Sequence, residues 1–259
     1  MSKCCKVTRI CQNILTHNFI RLKFSFIYNH TRRFLNLLIA KMSNQEQVVS
    51  FVPLFFIGLS AVVSIRALFT NAPPTLKMLA RLCIITFCVE LIGHVTKDEI
   101  DNYWLYNIFH FFYYTYLAYI FYHQLNSERI KIFIAIFFVA FFAFAIYNTL
   151  FVQGLFSLQT YTMVIGGAFI FLLAGIYFWE LIISEGESLT RDPFFWLSLG
   201  LIIYFGGTIP FLGMFNYLRE NFYEFTVFYH RNISNAFSIL LNILIVVAFL
   251  CKRSSPKLF

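Results

Sequence analysis

The sequence predicts an all-α protein, specifically a polytopic membrane protein with a bundle of seven transmembrane helices. Seven stretches are long and apolar enough to cross a bilayer, whose hydrocarbon core of about 30 Å needs roughly 20 apolar residues per helix. Apolar residues make up 59% of the 259 positions and charged residues only 12%, which is more apolar than a soluble domain requires. The 35 Phe and 15 Tyr indicate packing against lipid and between helices, with tyrosine also at the interfaces.

The predicted spans, numbered in chain order, fill the sequence after residue 48, and each is bounded by a short polar segment. The spans are 49–69, 78–95, 103–123, 130–151, 159–183, 193–215 and 232–251. The polar breaks are 71–75, 96–99, 126–129, 152–154, 184–192 and 216–231. Asp192 followed by Pro193 is typical of an N-cap and a first-turn proline, which places the start of span 6. Pro210 predicts a kink near the outer end of that span.

Small residues in spans 5 and 6 predict close contacts between helices. They are Gly166, Gly167, Gly175, Gly200, Gly206 and Gly207. The domain organisation expected from these features is a seven-helix transmembrane domain at 42–251 and a short cytoplasmic tail at 252–259.

Basic residues predict the orientation, because cytoplasmic loops carry an excess of Lys and Arg. Seven spans put the two chain ends on opposite sides of the membrane. One side holds Lys77, Arg129, Lys131, Arg191, Lys252, Arg253 and Lys257. The other side holds Lys97, Arg219 and Arg231. We therefore expect an inner-membrane protein with an outside amino terminus and a cytoplasmic carboxyl terminus.

Residues 1–41 conflict with this orientation, since they contain eight basic residues and no acidic one. This segment has three interpretations: a basic arm, an acid-free transit-type peptide, or upstream sequence translated in error before a true start at Met42. We favour the start at Met42, because it removes the charge conflict in one step.

Polar residues in the outer halves of spans 2, 3 and 7 form the candidate functional site. Glu90 and His94 are four residues apart and so share a face of span 2. Span 3 carries a polar stripe at i, i+4, i+7 and i+11, formed by Tyr103, Asn107, His110 and Tyr114. Span 7 begins on the same side of the membrane, with a run of polar residues that starts at His230. The candidate ligand-binding residues are Glu90, His94, Asn107, His110, Tyr114, His230 and Asn235.

An externally open pocket that binds a ligand, a proton or a metal is one interpretation of this outer polar cluster, since ionisable groups inside a membrane are expensive. Interhelical hydrogen bonding that only fixes packing is the other, and it is the more frequent role of such residues. Glu90, His94, His110 and His230 are the metal candidates, although they form no HExxH or HxxxH signature. No cofactor and no nucleic-acid partner are predicted, and the oligomeric state is left open.

Several segments resemble a family of short seven-helix membrane proteins of unknown activity from Bacteroidetes-type bacteria. The segments are Ile146-Tyr-Asn-Thr-Leu-Phe-Val-Gln153, Asp192-Pro-Phe-Phe-Trp-Leu-Ser-Leu-Gly-Leu-Ile-Ile-Tyr-Phe-Gly-Gly207 and Asn235 to Asn242, together with Glu90 and the aromatic run of span 3. The resemblance covers about 42–251. It implies a sensory or accessory module, since such proteins often sit beside histidine-kinase genes. The chain departs from the family at Gly166-Gly167, where an acidic residue is common.

Three functions are open to a chain of this kind. The first is a sensing or accessory subunit for a signalling partner such as a histidine kinase. The second is a membrane-embedded metal-dependent hydrolase, which needs a bound metal. Small-solute transport ranks third, because transporters usually show internal repeats and broken helices and this sequence shows no inverted repeat.

Overall fold

The computed structural model describes residues 51–96, 102–183 and 189–251. The chain divides into two units, residues 1–50 and Phe51–Phe259, and every described helix belongs to the second unit. The predictions about the leader at 1–41 and the tail at 252–259 fall outside the described residues.

The predicted all-α class is confirmed, because the described ranges contain helices and connections and no strand. Each helix is an uninterrupted run of residues with its own backbone hydrogen bonds, as lipid requires. The helices are α1 (Phe51–Phe69), α2 (Pro74–Thr96), α3 (Tyr103–Gln124), α4 (Glu128–Tyr147), α5 (Thr160–Ile183), α6 (Pro193–Gly213), α7 (Phe215–Asn221), α8 (Tyr223–Phe228) and α9 (Asn235–Leu250).

Six helical segments in the described part of the chain are long and apolar enough to cross a membrane, which indicates a multi-pass membrane protein. They include α1, α2, α5 and α6, the segment Glu128–Val152 formed by α4 and its π-helical end, and the segment Tyr223–Leu250. The helix α3 occupies the third predicted span but is not among the six. Its tyrosine, histidine and amide side chains lower its hydropathy although its length is sufficient.

The approach to the last helix differs from the prediction. The segment 216–231 was expected to be a polar break, but α7, α8 and a π-helical turn at Tyr229–Ser234 run through it into α9. Aromatic and apolar residues alternate with polar ones here, so composition alone suggested a loop. The candidate crossing therefore begins at Tyr223 rather than at residue 232.

The start of α6 agrees with its prediction. The carboxylate of Asp192 accepts a hydrogen bond from the backbone N–H of Phe194 at 2.7 Å, and Pro193 occupies the first helical turn. Because the first N–H groups of a helix have no partner inside it, this contact defines where α6 begins.

Packing is centred on α6, which lies between α5 and α9, while α3 packs against α2 and α5. Close approach between helices depends on glycine, as predicted. A methyl group added at Gly166 would overlap the ring of Tyr114, and one at Gly167 would come 2.9 Å from the ring of Phe205. The prediction was wrong for Gly175, which faces open space.

The outer surface of the bundle is apolar. On α4, Ile136, Val139 and Phe142 are exposed, whereas Ile134 and Phe141 are buried. Soluble monomers rarely expose large contiguous apolar patches, whereas a lipid bilayer solvates such a surface. The exposed faces therefore indicate a lipid environment.

Candidate functional site

A polar cavity of about 90 Å³ lies among α1, α2, α3, α6 and α9. Its lining spans the middle of these helices, for example Leu79 to Glu90 on α2 and Phe109 to Leu117 on α3. The cavity therefore includes part of the predicted polar cluster and extends from it along the middle of these helices. Its polar lining residues are Ser60, Cys83, Thr86, Glu90, His110, Tyr113, Tyr114, Tyr204, Ser238 and Asn242.

Glu90 supplies the carboxylate of this cavity. The hydroxyl of Tyr106 on α3 donates to Oε2 of Glu90 at 3.3 Å, a long hydrogen bond that ties α2 to α3. Among the described residues that line the cavity there is no Lys or Arg to neutralise the carboxylate. Glu90 is half-buried, and a carboxylate in such a place without a cationic neighbour is stabilised by a proton or a bound cation that offsets its desolvation.

His110 is held in one orientation by its own helix. Its Nδ1 lies 2.7 Å from the backbone carbonyl oxygen of Tyr106, one turn earlier in α3. Because a carbonyl oxygen only accepts, Nδ1 carries the hydrogen. In the neutral ring Nε2 is then an acceptor, which suits a ligand with N–H or O–H groups.

One wall of the cavity is aromatic. The ring of Tyr113 lies 5.6 Å from that of Phe109 and 5.7 Å from that of Tyr114, measured between centroids. Phe205 continues the wall at 6.0 Å from Tyr114 and 5.0 Å from Tyr204. These distances between ring centroids are typical of favourable aromatic pairs, so the five rings pack against one another and form a continuous surface. We call Phe109, Tyr113, Tyr114, Tyr204 and Phe205 the aromatic wall.

Among the residues that line the cavity, a side-chain hydrogen bond joins α1 to α9. The hydroxyl of Ser60 donates to Oδ1 of Asn242 at 2.8 Å. The amide nitrogen of Asn242 donates to the backbone oxygen of Ser238 at 2.9 Å. Both carboxamide atoms of Asn242 are therefore paired, which fixes its oxygen toward α1.

The structure brings together three of the seven predicted site residues, Glu90, His110 and Tyr114, around this cavity. His94 and Asn235 are not among the residues that line it. The ring of His94 instead packs edge-on against Phe51, with the ring centroids 5.5 Å apart. The side chain of His230 lies outside the described residues.

Asn107, the seventh predicted residue, organises the connection between α4 and α5. Its amide nitrogen donates to the backbone oxygens of Leu155 at 2.8 Å and Ser157 at 2.7 Å. Its side-chain oxygen accepts from the backbone N–H of Gln159 at 3.1 Å. Three hydrogen bonds to one loop satisfy this buried side chain, which fits the packing interpretation for Asn107.

The metal interpretation receives no geometric support in the described part of the chain. No three His, Cys, Asp or Glu side chains there come close enough together to hold a metal ion. Zinc requires three or four such ligands within about 2.3 Å.

Sequence reasoning missed several residues of the cavity. The sequence did not single out Tyr113 and Tyr204 of the lining, or Tyr106, whose hydroxyl donates to Glu90, because tyrosine is frequent throughout this chain and also fits interfacial positions. Ser60 and Asn242 are polar residues near the middle of apolar helices. That position was the available signal, since a mid-span polar group needs a partner.

A larger groove of about 1020 Å³ lies between α2, α3 and α4. Its lining is mostly apolar and includes Ile85, Phe112 and Phe138. Among the described residues it contains no charged side chain.

No protein-family model, curated protein or solved structure matches this chain. The residues of the cavity and their contacts therefore carry the functional interpretation.

Proposed function

We propose that this chain is a seven-helix membrane protein that acts as a sensing or accessory subunit for a signalling partner. The supporting observation is that Glu90 of α2 shares one cavity with Tyr204 of α6 and Asn242 of α9. Binding or release of a charge beside Glu90 changes what the facing groups on α6 and α9 must neutralise. A ligand that prefers one arrangement of these helices shifts the population toward it. The outer surfaces of α6 and α9 then present a different contact to the partner.

The seventh crossing in this proposal is α3. Its 22 residues span about 33 Å at 1.5 Å per residue, which is enough for the hydrocarbon core. Leu117, Ile120 and Phe121 of α3 are fully buried against the neighbouring helices. Only three residues separate the end of α3 from the start of α4, so the chain turns back directly into the next crossing.

The proposed orientation follows from the seven crossings. The amino-terminal end of α1 lies outside and the carboxyl-terminal end of α9 lies in the cytoplasm of a bacterial inner membrane. The excess of basic residues near the α1–α2 and α3–α4 connections supports this side as cytoplasmic. The resemblance to the Bacteroidetes-type family supports a histidine kinase as the partner.

The test is co-purification followed by a kinase assay. We expect the full chain, isolated from its native membrane, to bring a membrane-bound histidine kinase or another signalling protein with it. Reconstituted with that protein, the wild type should change its autophosphorylation, and Glu90→Gln and His110→Ala should lose the effect. Glu180→Gln is the matched control, because Glu180 lies on α5 outside the cavity. Equal autophosphorylation with and without this chain would refute the proposal.

A further inference from the structure

The charge of the cavity indicates which class of ligand it binds. This inference rests on the proposed function and names the ligand of that function. Glu90 is the acidic residue of the lining, and no Lys or Arg is among the described residues that line the cavity with it. An anion would add to the negative charge, and a neutral ligand would leave the carboxylate uncompensated. A proton offsets the desolvation of Glu90, and so does any other cation small enough for the cavity.

The aromatic wall narrows the choice among cations. The negative face of an aromatic ring attracts an organic cation within about 6 Å of its centroid, most effectively where water is excluded. Tyr113 and Tyr204 both line the cavity together with Glu90. A carboxylate facing several aromatic rings is the environment that recognises an ammonium group, whereas hard metal ions prefer a cage of oxygen ligands.

The remaining polar groups fit the hydrogens of such a ligand. A primary ammonium group has three N–H donors and no acceptor. Glu90, His110 and Tyr204 line the cavity, and each has an acceptor: the carboxylate, Nε2 of the neutral imidazole and the hydroxyl oxygen. A volume of about 90 Å³ holds several water-sized groups, because one water needs about 10–15 Å³ of such space. The ligand is therefore small.

We propose that the cavity binds a small primary ammonium cation, of the size of methylammonium, between Glu90 and the aromatic wall. The carboxylate neutralises the charge, the rings of Tyr113 and Tyr204 contact the methyl and ammonium groups, and His110 accepts one N–H.

The test is direct binding of methylammonium to the purified full chain in lipid nanodiscs, measured by titration calorimetry at constant ionic strength. We expect saturable binding of one cation per chain, with sodium binding much more weakly. Glu90→Gln should weaken binding roughly tenfold or more, because it leaves the cation unpaired. Tyr204→Leu should weaken it more than Tyr204→Phe, which keeps the ring. Glu180→Gln should bind like the wild type.

Three results would overturn the proposal: no saturable methylammonium binding by the wild type, equal binding by sodium, or unchanged affinity in Glu90→Gln. Each variant is first required to match the wild-type melting temperature and elution volume, and Tyr204→Phe provides the conservative substitution if Tyr204→Leu does not fold. If methylammonium does not bind but Glu90→Gln still abolishes the effect on the partner kinase, this ligand is rejected and the proposed function stands. Binding without any effect on a partner would reject the proposed function and leave the ligand standing.

Discussion

The hydroxyl of Ser60 and the side-chain oxygen of Asn242 lie 2.8 Å apart, although 182 residues of sequence separate them. This hydrogen bond connects α1 to α9 beside the cavity, and both residues are buried. In lipid no water competes for these groups, so without Ser60 the side-chain oxygen of Asn242 would lose this donor with no water to replace it. The bond therefore helps to close the bundle around Glu90.

The first prediction concerns the strength of that contact. Ser60→Ala and Asn242→Leu should each lower the free energy of unfolding, and a double-mutant cycle should give a coupling energy of about 0.6 kcal/mol, the average for such bonds in membranes. Reversible unfolding in mixed micelles measures it. Ser60→Ala combined with Thr208→Val is the control, because Thr208 bonds to Tyr204 of its own helix. Additive effects in the Ser60 and Asn242 pair would contradict the prediction.

The second prediction concerns the close approach of α3 and α5. Gly166→Ala should lower the melting temperature, with a loss of about 1–3 kcal/mol typical of overpacking, because the added methyl group overlaps the ring of Tyr114. Gly175→Ala on the same helix meets open space, so its melting temperature should stay the same or rise. Thermal unfolding of both variants in one detergent gives the comparison. Equal behaviour of the two would disprove the packing argument.

The third prediction concerns Asn107. Asn107→Ala removes three hydrogen bonds and leaves the backbone oxygens of Leu155 and Ser157 without that donor. We expect a loss of about 1–3 kcal/mol and faster proteolysis of the α4–α5 connection. Asn126→Ala, at an exposed position between α3 and α4, is the matched control and should resemble the wild type. Wild-type stability of Asn107→Ala would show that the loop does not depend on this side chain.

The fourth prediction tests whether α3 crosses the membrane. Single cysteines replace Asn71, Asn126 or Asn216, all exposed in connections or in α7, in a chain that lacks its six native cysteines. If α2 and α3 both cross, an impermeant thiol reagent labels positions 71 and 126 from the cytoplasmic side. Position 216, after three further crossings, is labelled from the outside. Labelling of positions 71 and 126 from opposite sides would mean that α3 does not cross.

Helix positions were predictable because each depends on consecutive residues. Asp192 and Pro193 place the start of α6 through one local hydrogen bond, and the sequence pattern contains it fully. The wrong prediction of a loop at 216–231 also came from considering consecutive residues alone. Polar residues there suggested a loop, but the helix continues through a π-helical turn at Tyr229–Ser234, which local composition does not signal.

The candidate site was only partly predictable, because helical spacing gives a face but not its neighbours. Asn107 and Tyr114 share the polar stripe of α3, yet about 10 Å of helix rise separates them. Over that distance the stripe passes from the α4–α5 connection, which Asn107 binds, to the cavity, which Tyr114 lines. His94 follows Glu90 by one turn and already faces Phe51 instead.

The sequence by itself determined that this chain forms long apolar helices whose solvent is lipid, since length and hydropathy are properties of neighbouring residues. It also marked Glu90 and His110 as polar groups that need a reason to lie in those helices. Only the tertiary structure decided that the two share a cavity with Tyr204 and Asn242. The physical reason is that the rotation and packing of each helix are set by contacts with other helices, far away in the sequence.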